Sequence, residues 1–230
     1  MKIRCHSILG ILLGVAVQVT AETVTLSATH DATLFEQDQG TLADGSGQYL
    51  FVGRTEGPAT RRALLTFDVT THIPADATIT SVTLTLNLSR TISTARTAPQ
   101  TVERLGRGIL RRWRPGRQGT TAATGDATWV HSFYDTHTWS TVGGDFEADA
   151  SASRSVSAAG SYTWSSAGMV ADVQAWLETP ATDFGWMIRG DESASKTAKR
   201  FDSRQHSTVA NRPLLTIEFD LPATHRHRLL

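Results

Sequence analysis

Cysteine is almost missing from this chain: Cys5 is the only one among 230 residues. That excludes an intrachain disulfide, a Cys-x-x-Cys redox motif and a cysteine zinc cluster. Catalytic signatures are missing as well. There is no G-x-S-x-G elbow, no H-E-x-x-H helix and no phosphate-cradling loop, so the local grammars of the common hydrolases, zinc peptidases and nucleotide enzymes are excluded. No apolar run reaches the ~20 residues needed to span a bilayer. Charge of one sign is not in excess either, with 22 basic and 22 acidic residues.

What is present begins with Lys2 and Arg4, followed by an apolar run from Ile8 to Val19 and the small residues Val19-Thr20-Ala21. A basic start, a short apolar stretch and small residues at the cleavage positions predict a secretory signal peptide over 1–21. Cys5 precedes the apolar run instead of closing it, which argues against a lipoprotein. The mature chain then has no cysteine and must be stable through its core alone; some 200 residues are enough for that. Loss of Lys2 and Arg4 leaves 20 basic against 22 acidic residues, and six of those arginines lie in 104–119, a segment without a single acid. The body is acidic and one loop is basic. An acidic body repels phosphates, so nucleic acid is not an expected partner.

Thr, Ser and Gly are abundant after residue 21 and strand signals dominate. Residues 81–89 (SVTLTLNLS) alternate without a break, Val82, Leu84, Leu86 and Leu88 inward and Thr83, Thr85, Asn87 and Ser89 outward. Shorter strands are predicted over 49–52, 63–69, 129–133, 162–164, 184–188 and 214–221. Residues 167–177 depart from this pattern: Val170, Val173, Trp176 and Leu177 recur at helical spacing, and Thr179-Pro180 stops the helix. The fold expected is all-β, a two-sheet antiparallel sandwich of jelly-roll or Greek-key type with one short capping helix, in a single domain over 22–222, with a disordered tail over 223–230. A closed barrel is the alternative.

Several clusters are candidates for chemistry. Residues 125–146 gather Trp129, His131, Phe133, Tyr134, His137 and Trp139. Aromatic faces stack on sugar rings, so Trp129, Tyr134 and Trp139 are candidates for carbohydrate contact, although Trp129 on a strand also suits the core. Trp164, Trp176 and Trp186 read as core by periodicity. In 198–204 (AKRFDSR), alternation puts Arg200, Asp202 and Arg204 on one side. Guanidinium and carboxylate forks pair either with each other, as a salt-bridge ladder, or with sugar hydroxyls. Asp31, Asp38, Asp44 and Asp191 lie in turn-rich segments where Ca²⁺ takes carboxylate and carbonyl oxygens, though no D-x-D-x-D-G ladder is present. A structural calcium is the one cofactor left open. A catalytic carboxylate pair assembled from distant positions also stays open, but nothing singles one out.

Taken in order, DATLFE (31–36), RRALLTFD (61–68), IPADATITSVTLTL (73–86), GDATW (125–129), TWSSAGMVADVQAWL (163–177), GDE (190–192) and TAKRFDSR (197–204) resemble the DNRLRE family of secreted bacterial proteins over almost all of 26–220. The resemblance implies a non-catalytic jelly-roll module that binds a polysaccharide or cell-surface glycan. The alternative is a structural or adhesive extracellular module without a defined sugar. The departure is 104–119 (RLGRGILRRWRPGRQG), where relatives carry an acidic Asp-Trp-Gly-Glu-Gly run. Three readings stand for it: a loop that grips anions, with Trp113 for stacking; a solvated loop; and a stretch read one base out of phase between compensating frame changes.

Overall fold

The computed structural model describes residues 20–37, 40–57, 59–91 and 119–222 with their side chains, and 98–104 by backbone alone. Nearly all of the expected signal peptide, Asp38, most of the basic segment with Trp113, and the tail 223–230 lie outside the described residues. In chain order the strands are β1 (Thr20–Ser27), β2 (His30–Phe35), β3 (Leu42–Ala43), β4 (Tyr49–Arg54), β5 (Thr60–Thr66), β6 (Thr78–Thr91), β7 (Ala98–Arg104), β8 (Thr120–Thr121), β9 (His131–Phe133), β10 (His137–Thr138), β11 (Ala152–Val156) and β12 (Gly160–Trp164). The helix α1 (Ala167–Glu178) follows, then β13 (Trp186–Arg189), β14 (Lys199–Asp202) and β15 (Leu214–Leu221). Among the described residues no helix is long and apolar enough to cross a membrane.

The alternation in 81–89 makes β6 the hub. Along one edge it pairs with β15 and then with β14; Leu84 and Leu88 show that β12 lies along the other edge, since each has a partner on both sides. β1 extends the sheet beyond β15, and β4 extends it beyond β14. At Gly53 β4 changes partner: residues 49–52 pair with β14, residues 53–54 with β5. Gly53 has φ +91, and a Cβ there would lie 2.9 Å from the Thr197 carbonyl oxygen, so only glycine fits the crossing. The path then runs β5–β13–β7–β11, with β2 on the far edge of β5. Every pairing is antiparallel. The all-β, antiparallel character with a single helix is therefore as expected. β4 bonds in both arms and so links eleven strands into one hydrogen-bonded set, while β3–β8 and β9–β10 pair apart from it.

Both arms turn side chains to one main core. Val82, Leu84, Leu86 and Leu88 of β6 and Leu215 and Ile217 of β15 meet Leu65 of β5, Trp186 and Ile188 of β13, and Phe201 of β14. Each fully buried aliphatic or aromatic side chain of this kind stabilises by roughly 1.5–3 kcal/mol. α1 covers part of this core. Ser166 caps it by accepting the Met169 N–H, and Met169, Val173, Trp176 and Leu177 are buried at helical spacing. The Trp176 and Trp186 rings meet at 4.5 Å, and Asp172 accepts the Trp186 indole N–H at 2.8 Å. The core assignments of Trp164, Trp176 and Trp186 hold.

A second, smaller core lies on the other face of β2, β5 and β13. Leu34, Leu64 and Met187 point away from the main core and meet Ala127, Trp129, Phe133 and Trp139 from the segment that folds over them. β5 and β13 thus give apolar side chains to both cores, while β2 gives Leu34 to the second core and turns the buried polar Asp31 and Thr33 the other way. The predicted strand over 129–133 shortens to β9, because Trp129 turns into this core from a bend.

Candidate functional site

Trp129 and Trp139 correct the expectation of a stacking surface in 125–146. They are 8 % and 4 % exposed, Trp139 donating its indole N–H to the Thr128 carbonyl at 2.8 Å. Neither offers a ring face to a ligand. Tyr134 stays half-buried on the turn between β9 and β10, its ring edge-on to His131 at 5.1 Å, beside Asp135 in the left-handed region.

Arg62 of β5 locks this segment down. Its Nε and Nη2 donate to the two Glu192 oxygens at 2.8 Å each, and Nη1 donates to the Gly143 carbonyl at 2.8 Å. The guanidinium lies 4.8 Å from the Trp129 ring centroid and 5.4 Å from that of Phe146. Gly143 has φ +95, and a Cβ there would press on Arg62 Nη1 at 2.6 Å. Burial pushes the Glu192 carboxyl up, but the hydrogen bonds and charge of Arg62, with Arg189 behind, hold it below the usual range. The GDE motif at 190–192 is a structural staple.

The remaining candidates converge at the seam between the two arms. Asp31 sits opposite Leu65, so it points inward from the edge strand β2, and it is 1 % exposed. Its Oδ2 accepts the Arg204 backbone N–H at 2.6 Å, and Arg204 Nε stands 3.5 Å from Oδ1. Two positions along, Thr33 Oγ1 accepts the Phe51 N–H, and its own N–H reaches the Asp44 carbonyl. Asp44 is 2 % exposed and accepts the Gly47 N–H at 2.9 Å. The loop it opens is bound to the segment after β14: Ser203 Oγ donates to the Gly47 carbonyl at 2.6 Å and Gln205 Nε2 to that of Gly45 at 2.9 Å. Burial pushes Asp31 up to about 7, against the pull of the Arg204 N–H and charge; burial also pushes Asp44 up to about 6. His30 beside them is lowered, first by burial and then by Arg204.

On the outward side of β14, the Arg200 guanidinium carbon sits over the Tyr49 ring, 3.9 Å from its centroid, and Nε donates to Ser89 Oγ at 3.1 Å. Its two terminal amino groups donate to nothing among the described residues. His206 packs against Tyr49 with ring centroids 5.6 Å apart and points Nε2 at Asp202, 3.5 Å away. Asp202 is fully buried and accepts Asn87 Nδ2 at 2.6 Å. The predicted ladder of Arg200, Asp202 and Arg204 does not form. β14 ends at Asp202, alternation ends with it, and Arg204 turns to Asp31 instead.

Asp191 is occupied elsewhere, accepting the Ser193 N–H and hydroxyl. Among the described residues no three His, Cys, Asp or Glu side chains converge to hold a metal. Tyr49 and His206 were not predicted; the Tyr–Leu–Phe–Val alternation of 49–52 shows Tyr49 outward, but nothing local couples it to Arg200. The chain matches no protein-family model and no curated protein.

Proposed function

We propose that this is an exported, non-catalytic module that binds a polysaccharide or cell-surface glycan through the outward face of β4, β14 and β6. The observation that carries the reading is Arg200: it is held between the Tyr49 ring and Ser89 Oγ, and its two terminal amino groups donate to nothing among the described residues. A guanidinium pinned in this way loses little entropy when it donates to sugar oxygens, which is the condition for useful affinity from a small polar surface. Asn87, Ser89 and His206 extend the face with further polar groups on strand-borne or tightly packed positions. The signal-like start of the chain and the ordered DNRLRE-like motifs support the same reading. Electrophoresis through gels containing soluble polysaccharides tests it. The native chain is retarded by at least one polysaccharide and Arg200→Ala is not; no retardation by any member of a broad panel defeats the proposal and favours the structural or adhesive role.

A further inference from the structure

Asp31 and Asp44 approach from opposite sides of the seam, one on β2 and one on the loop that precedes β4. The same segment holds both: the Arg204 N–H donates to Asp31, while Ser203 and Gln205 donate to the Gly47 and Gly45 carbonyls of the loop that Asp44 opens. The Asp44 carbonyl accepts the Thr33 N–H, two positions along β2 from Asp31. Each commits one oxygen to a backbone N–H, of Arg204 and Gly47 respectively. The second oxygens are the unusual feature. Among the described residues Asp44 Oδ2 is buried and accepts no hydrogen bond, while Asp31 Oδ1 meets only the Arg204 Nε at 3.5 Å, beyond good hydrogen-bond length. A buried carboxylate oxygen without a partner costs about 1–3 kcal/mol or more, so native proteins place a water, a proton or an ion against it.

The chemistry around this pair selects among those. The flanking groups are oxygens: two carboxylates, the Thr33 hydroxyl and the main chain of an Asp-Gly-Ser-Gly loop. Asp31 meets one arginine edge, and no basic side chain meets Asp44 among the described residues, so negative charge is in excess. Hard oxygen donors and excess negative charge suit a calcium-class ion, which takes six to eight oxygens and draws freely on carbonyls and water. Such a shell needs no third acidic side chain.

We propose that Asp31 and Asp44 hold a hard divalent cation of the calcium class, which ties β2 to the loop before β4 and thereby to the segment after β14. The site is independent of glycan binding.

The experiment is thermal unfolding of the full chain in EDTA and in millimolar Ca²⁺, with calorimetric titration of Ca²⁺ alongside. Saturating Ca²⁺ raises the Tm by about 5–10 °C, the shift expected of a native-state ligand at ~100 times its Kd in a domain of this size. Asp44→Asn abolishes the shift. Asp126→Asn, which alters another buried acid with a partnerless oxygen, preserves it. Equal Tm values for the native chain in EDTA and Ca²⁺ overturn the proposal, as does a shift that survives in Asp44→Asn. If that variant does not fold, the native chain decides: one equivalent of bound Ca²⁺ supports the site, and none defeats it.

Discussion

Glu192 and Asp31 are both buried or half-buried acids beside an arginine from a distant part of the chain, yet they are shifted in opposite directions. Glu192 receives both nitrogens of the Arg62 fork at 2.8 Å and is held low. Asp31 receives a backbone N–H and a guanidinium edge at 3.5 Å, faces Asp44 as well, and is raised to about 7. The difference shows that geometry, more than proximity, decides whether an arginine compensates a buried carboxylate. One cluster is a finished staple. The other is a seam where burial outweighs the one arginine contact that Asp31 receives.

The largest effect expected from this comparison is on the staple. Glu192→Gln leaves Arg62 charged and underpaired beneath Trp129 and Phe146, and loses about 2–3 kcal/mol of stability, read as a lower urea midpoint. Asp44→Asn in EDTA costs far less, within about 1 kcal/mol, because it removes a repulsive charge with the orphaned oxygen. Equal losses in the two variants would break the contrast.

The pH response sharpens it further. Asp31 and Asp44 have folded values above the unfolded 3.8, so the native state binds their protons more tightly. In chelator their contribution to stability is full below about pH 4 and is lost as pH rises through about 6 and 7. Glu192 is depressed, so its contribution is present above the unfolded 4.5 and is lost as pH falls. Urea unfolding of the chain in EDTA therefore shows stability declining from pH 5 to 7.5, and Asp44→Asn flattens that slope. A rise over the same interval would contradict the assignment of the seam.

The smallest effects on stability are expected at Arg200 on the outward face and at Tyr134 on the β9–β10 turn. Tyr134→Ala and Arg200→Ala each change stability by less than about 1 kcal/mol, since both residues are half-buried and remote from the cores. Their effects on polysaccharide retention differ: Arg200→Ala removes it, and Tyr134→Ala leaves most of it.

The fold was readable wherever one face of a strand meets water. β6 and β15 alternate cleanly, and α1 carries its apolar stripe and its Ser166 cap in plain view. β2 was not recognised as a strand, because the polar residues Asp31 and Thr33 that alternate with Ala32 and Leu34 are themselves buried, so the short HDATLF stretch reads as a polar turn. β11 was missed for the opposite reason: only Ala152 and Val156 are buried, and the three residues between them are exposed and polar. Trp129 is buried, as its core reading expected; Trp139 read as a loop aromatic because a segment that folds over a sheet leaves no periodic trace. The site was legible as residue types only. Asp31 and Arg204 stand 173 positions apart, Arg62 and Glu192 130 apart, and local pattern cannot join them.

The proposed glycan contact depends on the outward face of β4, β14 and β6 and on the Arg200 guanidinium held against Tyr49. Its most direct test is the migration of the native chain and Arg200→Ala, side by side, through gels with and without a panel of soluble polysaccharides, both proteins first shown to unfold at the same urea midpoint. Retardation of the native chain alone is the predicted result. Equal migration of the two proteins in every gel, retarded or free, would contradict it.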